Sequence, residues 1–143
     1  MNAKGKSKLT PCAPGRILVV DDQKSIRDMF HRVLSCGIFH LPQLKVDLAV
    51  NGAEAVESFR TLHQAVILMD LQMPVMYGDQ AFREMCAICR EHKWEKPSFV
   101  FFTGYDPPQG IIKLAEDNDH YSLLRKPIAR AALIAALKKH LHF

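Results

Sequence analysis

The chain has 143 residues, 48% of them hydrophobic, which is the size of one domain with enough apolar material for a substantial core. Much of its net charge of +4 sits in the first residues and at Lys138 and Lys139, so the concentrated basic face of a nucleic-acid binder is not expected. No stretch approaches the roughly 18 apolar residues of a membrane span, and the basic start has no signal-peptide core.

In chain order, residues 1–15 are polar and aperiodic, with Lys4, Lys6, Lys8, Pro11 and Pro14. They are expected to form a flexible basic tail ahead of a single domain over 16–143. Arg16–Val20 is a short apolar run that ends at Asp21-Asp22. Lys24–Cys36 follows with helical periodicity, its Ile26, Met29, Phe30, Val33 and Leu34 falling on one face. Leu44–Val50 alternates and reads as an edge strand, and Ala53–Leu62 as a helix. Ala65–Met69 is a second apolar run, ending at Asp70, and the helix Gly78–His92 comes after it. Ser98–Phe102 ends at Thr103 and precedes the helix Gln109–Asp117. Tyr121–Leu124 leads to Arg125-Lys126-Pro127, and the chain closes with the helix Arg130–Leu141, whose Leu133, Ile134 and Leu137 form a core stripe. Continuous apolar runs suit strands covered on both faces. Their alternation with helices predicts an α/β domain, a doubly wound five-stranded parallel sheet with helices on both faces and right-handed crossovers.

Four cysteines, Cys12, Cys36, Cys86 and Cys89, include a Cys-x-x-Cys pair. That pair lies inside a helix, and even with His92 it lacks a fourth ligand, so ordinary thiols in a reducing, cytoplasmic setting are expected rather than zinc or redox chemistry.

In a doubly wound sheet, ligands bind beyond the carboxyl ends of the strands. Asp21, Asp22, Asp70, Thr103 and Lys126 all fall there. Three clustered carboxylates repel one another unless a cation neutralises them, and hard oxygen donors favour Mg²⁺. A carboxylate beside that cation can attack phosphorus to give an acyl phosphate. Thr103 can then donate to one phosphoryl oxygen while Lys126 supplies a point charge to another.

The motifs Ile17-Leu-Val-Val-Asp21-Asp22, Ile67-Leu-Met-Asp70-Leu-Gln-Met-Pro74-Val-Met-Tyr-Gly78, Phe101-Phe-Thr103-Gly104 and Leu124-Arg-Lys126-Pro127 resemble those of the receiver domains of two-component response regulators, over about Arg16 to Leu141. The resemblance implies a flavodoxin-like fold and a switch phosphorylated on Asp70. It also implies Mg²⁺ held by Asp21, Asp22, Asp70 and the Gln72 main-chain carbonyl, Thr103 and Lys126 as phosphoryl sensors, and a cis Lys126–Pro127 bond. Its implied partners are a histidine kinase or histidine phosphotransfer protein and a downstream protein target, without direct contact to nucleic acid or membrane; a homodimer stays open. Such a protein catalyses its own Mg²⁺-dependent phosphorylation and dephosphorylation, with no separate metabolite.

The chain departs from the family pattern at Leu123, where the family usually has Tyr or Phe; the nearest aromatic is Tyr121. Gln72 and Tyr105 occupy positions that tune the lifetime of the acyl phosphate in the family; Tyr105 either shields it or is a loop aromatic facing solvent, and a long-lived phosphorylated state is the expectation if it shields. Asp79 is a candidate cap for the third helix. A stand-alone receiver is the expected architecture. The alternatives are a receiver piece of a hybrid histidine kinase, an interaction module that works without phosphate, and a small Mg²⁺-dependent phosphatase. The last is disfavoured by Gln23, which stands where that class places a second acid.

Overall fold

A computed structural model describes residues 8–35 and 44–141. Strands β1 (Ala13–Val20), β2 (Lys45–Ala49), β3 (Gln64–Asp70), β4 (Ser98–Thr103) and β5 (Tyr121–Arg125) alternate with helices α1 (Lys24–Ser35), α2 (Gly52–Leu62), α3 (Gly78–His92), α4 (Gln109–Asp117) and α5 (Arg130–Leu141). The strands form one parallel sheet in the order β2-β1-β3-β4-β5. The alternating β2 is at an edge, while the continuous runs β1, β3 and β4 take the interior, as burial on both faces requires.

Side chains alternate across each strand and so feed two cores. Ile17, Val19, Val66, Leu68, Val100 and Phe102 face α1 and α5, meeting Phe30, Val33, Leu133 and Leu137. Leu18, Val20, Ile67, Met69, Phe99 and Phe101 face α2, α3 and α4, meeting Val56, Phe59, Phe82, Met85 and Ile111. Each fully buried Leu, Ile or Phe among them stabilises the fold by about 1.5–3 kcal/mol. The stripe on α5 is core, with Leu133 and Leu137 buried and Ile134 packed beside them.

The expected elements differ from the observed ones in a few places. The first strand starts at Ala13 rather than Arg16, and Thr10 bridges to Trp94. The later part of the stretch read as a tail is therefore tied to the domain, while residues 1–7 lie outside the described residues. So do Cys36, the last residue of the first expected helix, and the segment 37–43. Asp79 does not cap α3: the N-cap is Tyr77, which makes no side-chain bond, and Asp79 instead pairs with Arg83 at 3.2 Å. Among the described residues no helix is long and apolar enough to cross a membrane.

Candidate functional site

Parallel strands deliver their C-terminal residues to one edge, and the five polar residues meet there. Asp21 follows directly on β1, Asp70 ends β3, Thr103 ends β4 and Lys126 follows β5. Asp21, Asp70 and Thr103 are almost wholly buried, whereas Asp22 is exposed. The Lys126 ammonium bridges the two buried acids, with Nζ 3.1 Å from Asp21 Oδ2 and 3.2 Å from Asp70 Oδ2. One carboxylate oxygen from each of Asp21, Asp22 and Asp70 lies within 4.8 Å of the others. The described residues contain no other such group of three or more potential ligands.

Local backbone geometry fixes these positions. Asp21 Oδ1 accepts from the Gln23 N–H at 2.9 Å, and Asp70 Oδ1 accepts from the Gln72 N–H at 3.2 Å, two short Asx turns that hold the acids at the strand ends. The Leu71 N–H donates to the Phe102 carbonyl at 3.0 Å and the Lys126 N–H to the Thr103 carbonyl at 2.8 Å, so adjacent strand ends are laced together. The Lys126–Pro127 bond is cis. Gly78 packs so closely that a Cβ there would stand 2.3 Å from the Asp70 carbonyl oxygen. Only glycine fits that approach.

Burial pushes both the Asp21 and the Asp70 carboxyls above the ordinary carboxylate range. For Asp70 the Asp21 charge adds to burial, and for Asp21 the Asp22 charge does, while Lys126 and the backbone N–H groups pull the other way. Lys126 is itself partly desolvated, yet the two carboxylates hold its ammonium above the usual lysine value. Three hard oxygen donors with an excess of negative charge fit a divalent cation such as Mg²⁺.

A cleft of about 460 Å³ opens over this centre, lined by Asp22, Gln23, Asp70, Gln72, Tyr105 and Lys126. The Thr103 hydroxyl faces Tyr105, donating to its carbonyl and accepting from its N–H, both at 3.1 Å. Tyr105 is 67% exposed, and Tyr77 at 63% and Val75 at 81% are exposed between β3 and α3. Leu123 is half-buried against the core and lines a shallow groove with Ala115, Ala132 and Ala135. Tyr121 turns its ring into a cluster with Phe82, Phe99 and Phe101.

The motif reading did not include Arg27, whose guanidinium donates to the Asp21 carbonyl at 2.7 Å and braces the β1–α1 turn. Its position one turn into an amphipathic helix carries no signal of its own. Cys86 and Cys89 are buried in the core on the α3 side, and burial raises both thiols, Cys89 to about 11.

Residues 17–138 match the family model for the response regulator receiver domain. The chain belongs to that family. The regulatory protein AtoC of Escherichia coli is 31% identical over 144 residues, covering 91% of this chain and 28% of AtoC. A protein-glutamate methylesterase/protein-glutamine glutaminase of Aliivibrio fischeri is 43% identical over 75 residues, covering 52% of this chain and 19% of that protein. This receiver domain thus spans less than a third of the length of either relative. Among solved structures, chemotaxis protein CheY4 of Vibrio cholerae superposes with a TM-score of 0.70 at 25% identity, covering 90% of this chain and all of CheY4. A CheY-like receiver domain protein of Methanospirillum hungatei gives 0.70 at 20% identity over 94% of this chain and 95% of that one, a likeness of fold.

Proposed function

We propose that this receiver domain accepts a phosphoryl group on Asp70 from a phosphohistidine and works as a cytoplasmic switch. The observation that carries the reading is the convergence of Asp70 with Asp21, Asp22 and Lys126 at one sheet edge, under a cleft open to a donor. An Asp70 oxygen attacks phosphorus, the O–P bond forms as the P–N bond breaks, and the imidazole leaves with the electron pair and takes up a proton from solvent. Lys126 places its charge beside the transferring group, and Thr103 gives up its bonds to Tyr105 to donate to a phosphoryl oxygen. Asp21, Asp22, Asp70 and the Gln72 carbonyl would hold Mg²⁺, which neutralises the approaching phosphoryl oxygens. Reversal to the resting state is attack of water on phosphorus, releasing inorganic phosphate and the Asp70 carboxylate.

The phosphorylated state is read through the face that includes Leu123. A leucine has no hydroxyl to show a partner, so the change there is an aliphatic repacking into the space Thr103 leaves. The partners of this reading are a histidine kinase or phosphotransfer protein and a downstream protein. The test is incubation with acetyl phosphate and MgCl₂, followed by intact mass. Wild type is expected to gain one phosphoryl group, and Asp70→Asn none. No gain on wild type, or an equal gain on the variant, refutes the reading.

A further inference from the structure

At the other end of the sheet lies a cavity of about 610 Å³, within the range of small-molecule sites. Leu9, Trp94 and Tyr121 line it, together with three cations, Arg90, Lys93 and Lys96, against one carboxylate, Glu95. It is separated from the phosphoacceptor edge by the length of β4, about 17 Å at 3.3 Å per residue. Its wall is built by main-chain pairing: the Thr10 N–H donates to the Lys93 carbonyl at 2.9 Å and the Glu95 N–H to the Thr10 carbonyl at 2.8 Å. That pairing seats Leu9, which is 50% exposed, beside the cavity. The Trp94 indole is clamped by the stacked rings of His63, at 4.2 Å, and His92, at 5.1 Å. A ligand therefore meets a fixed surface rather than a mobile ring.

Two observations point to what the cavity holds. Arg90, Lys93 and Lys96 are exposed, and none forms an ion pair among the described residues. Tyr121 lines the cavity at 5% exposed, its ring packed by three phenylalanines, and its hydroxyl makes no hydrogen bond among the described residues but is not enclosed, so it can meet a ligand. Burial and the nearby Cys86 and Cys89 thiols push the phenol up, so it remains a proton donor.

We propose that this cavity is a second ligand site, for a small organic anion with an apolar body. The anionic head rests among Arg90, Lys93 and Lys96, a polar atom of the ligand accepts from the Tyr121 hydroxyl, and the apolar body lies against Leu9 and Trp94. Site and ligand are independent of phosphoryl transfer at Asp70.

The chain has a single tryptophan, so quenching of Trp94 with sensitised probe emission reports occupancy. Anilinonaphthalene sulfonate, an aromatic anion, is titrated beside the uncharged phenylnaphthylamine. Saturable binding of the anion is expected, weakening about tenfold in Arg90→Gln/Lys93→Gln/Lys96→Gln, as the loss of three partly screened charges implies. Tyr121→Phe, which keeps the ring in its packing, is expected to weaken binding several-fold, and Lys113→Gln on α4 to leave it unchanged. Equal affinity for the uncharged probe, an unchanged constant in the triple variant or in Tyr121→Phe, or no saturation overturns the proposal.

Discussion

Replacing Asp21 by Asn is expected to stabilise the metal-free fold while weakening its response to Mg²⁺. Asp21 is wholly buried and has two other carboxylates within 4.8 Å. At an effective dielectric of about 20, a pair at that distance repels by about 3.5 kcal/mol. The Lys126 ammonium at 3.1 Å returns about 5 kcal/mol on the same scale. Exposed Asp22 is screened and adds less, so the Coulomb effects nearly cancel and the cost of burying the carboxylate remains. That balance agrees with the raised carboxyl of Asp21. Asparagine keeps the shape, still accepts from Gln23 and carries no charge to desolvate. A gain of roughly 1–3 kcal/mol follows, worth several degrees in Tm for a domain of this size.

The sign with pH is fixed. A carboxyl raised in the folded state contributes its stability below the ordinary carboxylate range and loses it as pH rises through the raised value. The advantage of Asn should therefore be absent in acid and grow toward neutrality. Thermal unfolding in EDTA across that window measures it, and the same scans in MgCl₂ should show wild type gaining more than the variant. A variant with a lower Tm in EDTA at neutral pH would refute the reasoning.

Gly78→Ala forces a Cβ to within 2.3 Å of the Asp70 carbonyl oxygen and 2.9 Å of Leu71 Cα, both backbone; a loss of about 2–3 kcal/mol is expected by urea unfolding. Val75, β-branched and 81% exposed, sits at φ 74° beneath a Met76 N–H to Pro74 carbonyl bond of 2.8 Å. Val75→Gly should thus raise stability by about 1 kcal/mol in the same assay, relief of backbone strain outweighing added chain entropy. Tyr105→Ala should speed loss of phosphate from Asp70, followed by intact mass after donor removal. An unchanged rate would show that Tyr105, 67% exposed, does not shield the site.

The strand ends were legible because each interior strand is an apolar run stopped by a polar residue, and a parallel sheet carries every such stop to one edge. Asp21, Asp70, Thr103 and Lys126 could therefore be gathered without coordinates. The contribution of residues 10–15 was hidden because Pro11, Pro14 and Gly15 read as irregular chain; Gly15 takes φ 72°, and the register with β3 shifts beyond Ala13. The role of Trp94 depends on a single bridge to Thr10, a long-range pairing that no periodicity announces. Tyr121 is the aromatic nearest Leu123 in the sequence, but strand parity does not say how deep its ring goes. Asp79 failed as a cap because the chain enters α3 through the close approach of Gly78 to Asp70, which puts Tyr77 at the cap position.

Lys126 gives the acidic centre a cation that cannot diffuse away. With its ammonium shared between Asp21 and Asp70, the chain can complete and keep its fold before any ion arrives. A divalent ion that enters must displace a competitor already tethered at high local concentration. Affinity for free ions is thereby held down, and occupancy follows the surrounding ion level instead of becoming permanent.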